Sequence, residues 1–189
     1  MWLLNARSSS VYLIAGDPKT NEPFDSDWRN RVMALGKTRP RKRGVTFNRD
    51  KEARNSHVRW IEPDDDSRWL FEQVTRMVNA INAHTWHFDL SYIMNFQFTE
   101  YCKGGHYDFH VDELLAGGTE QRKLSFAIPL NDRYEGGSFM IQHGRAPEVV
   151  DVQPGQMVLF PSFLMHRVTP VTRGVRYSLV GWVCGPAWR

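Results

Sequence analysis

Tyr101-Cys102-Lys103-Gly104-Gly105-His106-Tyr107-Asp108-Phe109-His110-Val111-Asp112 ends in an H-x-D triplet. On a β-strand, residues i and i+2 project to the same face, so one imidazole and one carboxylate converge there. A third ligand from a distant strand would complete a 2-His-1-carboxylate facial triad, the donor set of non-haem Fe(II) centres. His166, in Phe160-Pro161-Ser162-Phe163-Leu164-Met165-His166-Arg167-Val168, is the candidate third ligand, and Arg176 follows ten residues later. This reading requires a β-fold that brings sequence-distant strands face to face.

A chain of this His and Asp content yields on the order of one H-x-D by chance, and His87-Phe88-Asp89 is a second instance. The surroundings favour His110 and Asp112. Gly104 and Gly105 precede them, permitting a tight turn and close backbone approach. A strand-like run, a distal His and an Arg follow. His106 shares a strand face with His110, and a surface or supporting role suits it better than ligation.

Downstream, Leu124, Phe126, Ile128 and Leu130 alternate with Lys123, Ser125, Ala127 and Pro129. Further short strands are expected at 92–98, 138–142, 149–152, 157–160, 165–169 and 175–183, with turns at 131–137 and at Pro154-Gly155. Many short strands with Gly/Pro turns indicate a sandwich, jelly roll or barrel. Upstream, strands are expected at 11–14 and 58–61. One helix should start at Asp25 or Ser26 and stop near Leu35, ahead of Gly36. In the second, Leu70, Val74, Met77, Val78 and Ile81 recur at helical spacing, and Asp64, Asp65 and Asp66 mark its start. The expectation is one domain over 1–189: N-terminal helices and strands to 88, then a jelly-roll core at 89–185.

The chain has 189 residues, 41% of them hydrophobic, enough for a substantial core. Its two cysteines, Cys102 and Cys184, are too few for a disulfide framework and read as reduced thiols. No run approaches a membrane span, and Met1-Trp2-Leu3-Leu4 lacks the basic flank of a signal peptide. A cytoplasmic location without membrane contact is expected. The net charge is +3, with Lys37, Arg39, Arg41, Lys42, Arg43, Arg49, Lys51 and Arg54 crowded into the basic loop 37–56. That loop reads as a solvated face, or as a lid over a substrate.

The pattern Y-x-x-G-x-x-Y-x-x-H-x-D, filled by Tyr101, Gly104, Tyr107, His110 and Asp112, resembles that of prolyl 4-hydroxylase-like Fe(II)/2-oxoglutarate dioxygenases, in the PKHD-type hydroxylase branch. Arg122-Lys123-Leu124-Ser125, Glu135-Gly136-Gly137, Pro154-Gly155, Phe160-Pro161, His166 and Arg176 continue the resemblance over roughly 86–184. It implies a mainly β fold, a double-stranded β-helix (jelly roll) supported by N-terminal α-helices. It also implies Fe(II) held by His110, Asp112 and His166, with 2-oxoglutarate and O2 as cosubstrates and ascorbate as a supporting reductant. Arg176 would pair with the 5-carboxylate of 2-oxoglutarate, a match of guanidinium fork to carboxylate. Ser178, two residues on, would add a hydroxyl, and Tyr101 would help hold the same molecule. Tyr107 and Trp182 would line the substrate side.

The activity implied is hydroxylation of an unactivated C–H bond, foremost of a prolyl residue in a protein or peptide. A free amino acid or small metabolite is the alternative substrate. Nucleic-acid demethylation is disfavoured, because Trp182 stands where alkylation-repair enzymes resembling this chain carry a second arginine. A non-catalytic metal-binding jelly roll is disfavoured because neither a ligand nor the arginine is missing.

Overall fold

The computed structural model describes residues 7–8, 11–16, 24–46, 52–113 and 120–188. In chain order the elements are β1 (Arg7–Ser8), β2 (Leu13–Ala15), α1 (Ser26–Thr38), β3 (Lys42–Arg43), β4 (Arg54–Asn55), β5 (His57–Ile61) and α2 (Arg68–His84). There follow β6 (Tyr92–Ile93), β7 (Phe96–Tyr101), β8 (His106–His110), β9 (Glu120–Pro129), β10 (Tyr134–Gly136) and β11 (Phe139–Gln142). The chain continues through β12 (Glu148–Val149), β13 (Met157–Pro161), β14 (Met165–Val168), β15 (Val171–Gly174) and β16 (Arg176–Pro186).

The strands form two main antiparallel sheets. The larger runs β1-β2-β13-β9-β16-β7-β5-β3, with β6 also on β16, and the smaller runs β12-β11-β14-β8-β4. Helices α1 and α2 cover the outer face of the larger sheet, where Val32, Leu70, Val74, Val78 and Ile81 meet Phe96, Phe98, Phe126 and Ile128. A second apolar cluster, including Phe139, Ile141, Val158, Phe160 and Val168, fills the space between the sheets. The larger sheet is therefore buried on both faces. On β9, Leu124 and Phe126 point to the helices, and Ser125 and Ala127 are buried on the other side. Each fully buried Phe or Leu stabilises the fold by roughly 1.5–3 kcal/mol relative to exposure.

Helix α1 starts where capping chemistry predicts, whereas the Ser67 side chain at the start of α2 makes no capping hydrogen bond. Asp25 caps α1, its carboxylate accepting from Trp28 N at 2.8 Å. Asp64 accepts from Ser67 N at 2.9 Å just ahead of α2. Gly36 does not terminate α1, which runs on to Thr38. It is buried inside the helix because a Cβ there would stand 2.4 Å from Phe98 Cδ2, so the glycine sets how closely helix and sheet approach. The segment expected as a turn at 131–137 contains β10, which pairs with β15 in a two-stranded ribbon. The strand expected at 92–98 is two, β6 and β7, both against β16.

The basic loop is largely tied down. β3 zips onto β5, Arg39 pairs with Asp64 at 2.7 Å, and Arg41 pairs with Glu100 at 2.5 Å. The central part of the expected lid, residues 47–51 with Arg49 and Lys51, lies outside the described residues. Cys102 and Cys184 are free thiols. No described helix is long and apolar enough to cross a membrane.

Candidate metal centre

The two sheets face each other at His110, Asp112 and His166. β14 pairs with β8 so that His166 lies opposite His110, and Asp112 follows two residues after the end of β8. Hydrogen bonds from the Asp112 and Glu113 amides to the Ser162 carbonyl fix that exit, each at 3.0 Å. Ahead of β8, Gly104 takes a left-handed backbone with φ of 77°, the turn expected from its lack of a side chain.

One ligand atom from each of the three residues lies within 4.8 Å of the others. His110 Nε2 is 3.7 Å from Asp112 Oδ1, and His166 Nε2 is 3.4 Å from Asp112 Oδ2. The other ring nitrogens face backbone carbonyls two residues earlier, His110 Nδ1 on Asp108 O at 2.7 Å and His166 Nδ1 on Leu164 O at 2.9 Å. Those contacts suit Nδ1–H tautomers, which leave both Nε2 lone pairs directed at the centre. Burial, followed by the neighbouring His166, lowers the His110 pKa to about 4, so the imidazole is neutral and can donate its lone pair. Burial alone would raise the Asp112 carboxyl, but the two imidazoles, His166 foremost, hold it well below the usual range. The result is two imidazole nitrogens and one carboxylate on a single face, the facial triad geometry.

Arg176 opens β16 and is 2% exposed. Nη1 donates to Ser178 Oγ at 3.1 Å, Nε has no partner, and no carboxylate pairs with the side chain among the described residues. Its register partner is Tyr101, whose ring centroid lies 5.6 Å from the guanidinium carbon. Arg176 also borders a cavity of about 160 Å³ that reaches Phe139 and Val150. Asp151 lines the same cavity but accepts instead from Gln153 Nε2 at 2.6 Å. A larger surface hollow, about 360 Å³, lies against α1 and α2 and contains none of the site residues.

Tyr107 stacks on His110, with centroids 3.5 Å apart at 15°. Trp182 is 7% exposed, and its buried Nε1–H has no hydrogen-bond partner among the described residues. Of the residues singled out in the sequence, Tyr107 and Trp182 thus neighbour the triad, and Arg176 groups with Ser178 and Tyr101 on the larger sheet. His87 stands apart. It is exposed, in a left-handed conformation with φ of 54°, outside the cluster. His106 is taken up by the carbonyls of Gly104 and Glu52.

Two arginines to which the sequence reading gave no site role lie beside these residues. Arg122 lies with its guanidinium 4.3 Å over Trp182 and donates to Asp112 O at 3.3 Å. A bulge skips Lys123 in the β9–β16 register, a device that re-aims side chains beside active sites. Arg54, one basic residue among eight in its segment, is 6% exposed and packs on Tyr107.

Residues 96–184 match the family model of the 2OG-Fe(II) oxygenase superfamily. A PKHD-type hydroxylase of Synechococcus elongatus is 38% identical over 91 residues, 46% of this chain and 41% of that protein. Another, from Synechococcus sp. strain CC9605, is 46% identical over 83 residues, 42% of this chain and 37% of its own. The chain therefore spans less than half the length of these curated relatives. Among solved structures, a Pseudomonas putida prolyl-4-hydroxylase superposes with a TM-score of 0.70 at 21% identity, covering 86% of this chain and 88% of that one. A prolyl hydroxylase from Trichoplax adhaerens, in complex with a hypoxia inducible factor oxygen degradation domain peptide fragment, gives 0.74 at 16% identity, covering 93% and 84%. At these identities the likeness establishes the shared fold, the jelly roll expected from the sequence.

Proposed function

From the match of residues 96–184 to the 2OG-Fe(II) oxygenase superfamily model, we propose that the chain is an Fe(II)- and 2-oxoglutarate-dependent dioxygenase that hydroxylates a prolyl residue in a protein or peptide. The observation that carries the proposal is a cluster of two imidazoles and one carboxylate together with a buried guanidinium on β16 that has no acid partner among the described residues. The residues fit both absent groups. Two Nε2 lone pairs and one carboxylate suit Fe(II). An unpaired buried arginine is costly by itself and suits the far carboxylate of 2-oxoglutarate.

When bound, iron and 2-oxoglutarate supply the oxidising chemistry that places an oxygen atom on an unactivated carbon. In this reading His110, Asp112 and His166 hold the metal. Asp108 and Leu164 fix the imidazole tautomers through their carbonyls. Arg176, Ser178 and Tyr101 orient 2-oxoglutarate. Tyr107 and Trp182 border the substrate side, and Phe139 and Phe160, packed near His166, exclude water. Residues 1–88 support a catalytic core at 89–185.

Prolyl chemistry is supported by the names of the solved neighbours, one of which holds a peptide. The test is succinate formation from 2-oxoglutarate by anaerobically iron-loaded protein after oxygen is admitted. It is run without substrate and then with proline-containing peptides, free proline and methylated oligonucleotides. Stimulation by peptides supports the proposal. Stimulation by free proline alone moves the assignment to a small-molecule hydroxylase. No turnover in folded, iron-binding protein overturns the oxygenase reading.

A further inference from the structure

Arg54 is a buried cation that the proposed chemistry leaves unused. Three of its donors are met: Nε by Ser56 Oγ at 2.8 Å, Nη2 by Gln97 Oε1 at 2.8 Å and Nη1 by Val45 O at 3.3 Å. No carboxylate pairs with it among the described residues. Room has been left for it, since a Cβ on Gly44 would stand 2.7 Å from Arg54 Nε and 2.4 Å from Ser56 Oγ. A buried cation without a counter-ion is destabilising, a cost that an apolar side chain here would avoid. The guanidinium carbon lies 4.5 Å from the centroid of Tyr107, its register partner across β4 and β8. Tyr107 in turn stacks on His110 at 3.5 Å. The series Gln97–Arg54–Tyr107–His110 therefore joins the larger sheet, the end of the basic segment and the triad.

We propose that Arg54 is a positioning residue for the metal centre, fixing the plane of the His110 imidazole through Tyr107. The inference rests on His110 being a metal ligand. The contact of His110 Nδ1 with Asp108 O anchors one edge of the ring. Rotation about the terminal torsion of a histidine is otherwise soft, and a flat partner on the ring face restricts it. Tyr107 is that partner. A planar guanidinium hydrogen-bonded on three sides, lying over a tyrosine ring, holds the tyrosine in place as a lysine ammonium cannot. Groups that orient a ligating histidine typically contribute 10–100-fold to metal affinity.

The test is titration of the metal-free full chain with Co(II) alone, read by calorimetry and by the Co(II) d–d absorption spectrum. Arg54→Met and Arg54→Lys should each weaken Co(II) binding by about tenfold or more and alter the spectrum. Tyr107→Leu should do the same, and Tyr107→Phe, which keeps the ring, should not. Arg54→Met combined with Tyr107→Leu should bind no more weakly than Tyr107→Leu alone, because both act along one path. Unchanged Co(II) affinity and spectrum in a folded Arg54 variant overturns the inference, as do additive losses in the double variant. His110→Ala separates the two failures. Lost binding there with intact binding in Arg54→Lys refutes Arg54 alone, and wild-type binding in His110→Ala refutes the metal-site reading itself.

Discussion

Replacing Arg176 with methionine should move stability and cosubstrate affinity in opposite directions. The side chain is 2% exposed and makes one described hydrogen bond, to Ser178, leaving Nε unmet. Methionine keeps much of the volume and removes a desolvated charge that costs several kcal/mol when unpaired. Against that gain, the Ser178 hydroxyl loses a partner, a cost of about 1 kcal/mol. For 189 residues, about 1 kcal/mol corresponds to 2–4 °C in Tm. The metal-free variant should therefore melt at or above the wild-type temperature. Binding of 2-oxoglutarate loses a two-pronged, charge-assisted contact at roughly 1.5 kcal/mol or more per hydrogen bond. That sum, about 3 kcal/mol, is on the order of a 100-fold rise in Kd. Thermal scans and calorimetric titration of the Mn(II)-loaded protein measure the two effects. Oxalate, which has no remote carboxylate, should bind both proteins alike. A fall of more than about 4 °C with unchanged 2-oxoglutarate affinity would refute the reasoning, because Arg176 would then be a structural cation.

Further substitutions test the triad and the layer that supports it. His110→Ala or Asp112→Ala should abolish Fe(II)-dependent turnover and metal binding, whereas the exposed His87→Ala should change neither; loss in His87→Ala alone would relocate the site. Gly36→Ala should destabilise by about 1 kcal/mol, since forcing a methyl against Phe98 costs roughly 1–3 kcal/mol and helix propensity returns about 1. A denaturant midpoint raised by Gly36→Ala, as at an exposed helical glycine, would contradict the packing described for α1.

The half of the chain that carries the triad was legible because its signals are local or ordered. Alternation identified β9, the Gly104 turn led into the H-x-D strand, and Arg176 with Ser178 shared one face of β16. Distances across the barrel were not legible, because the register that sets His166 opposite His110 depends on which strands pair. Arg54 shows the limit most clearly. In sequence it is one basic residue in a run of eight, and only the β4–β8 ladder separates its burial from the surface pairs of Arg39 and Arg41. Arg122 emerges from a bulge at Lys123, an irregularity that alternation cannot reveal. Gly36 has the composition of a helix stop, and the aromatic ring of Phe98 overrides it.

Around the triad, Arg54, Arg122 and Arg176 supply three guanidiniums, and none has a carboxylate partner among the described residues. Asp112 supplies the one buried carboxylate among them. A dianionic cosubstrate compensates such a field, whereas the metal alone adds to its positive charge. It follows that 2-oxoglutarate should stabilise the protein strongly once a metal is present. At a ligand concentration 100 times its Kd the linkage is about 2.7 kcal/mol, or roughly 5–11 °C at 2–4 °C per kcal/mol. Mn(II) with 2-oxoglutarate should therefore raise Tm well above Mn(II) alone, and Arg176→Met should lose most of that increment at the same ligand concentration. Sulfate serves as the control. An equal rise with sulfate would reduce the effect to general anion binding by the basic interior, and no rise with 2-oxoglutarate would mean that these guanidiniums do not await a diacid.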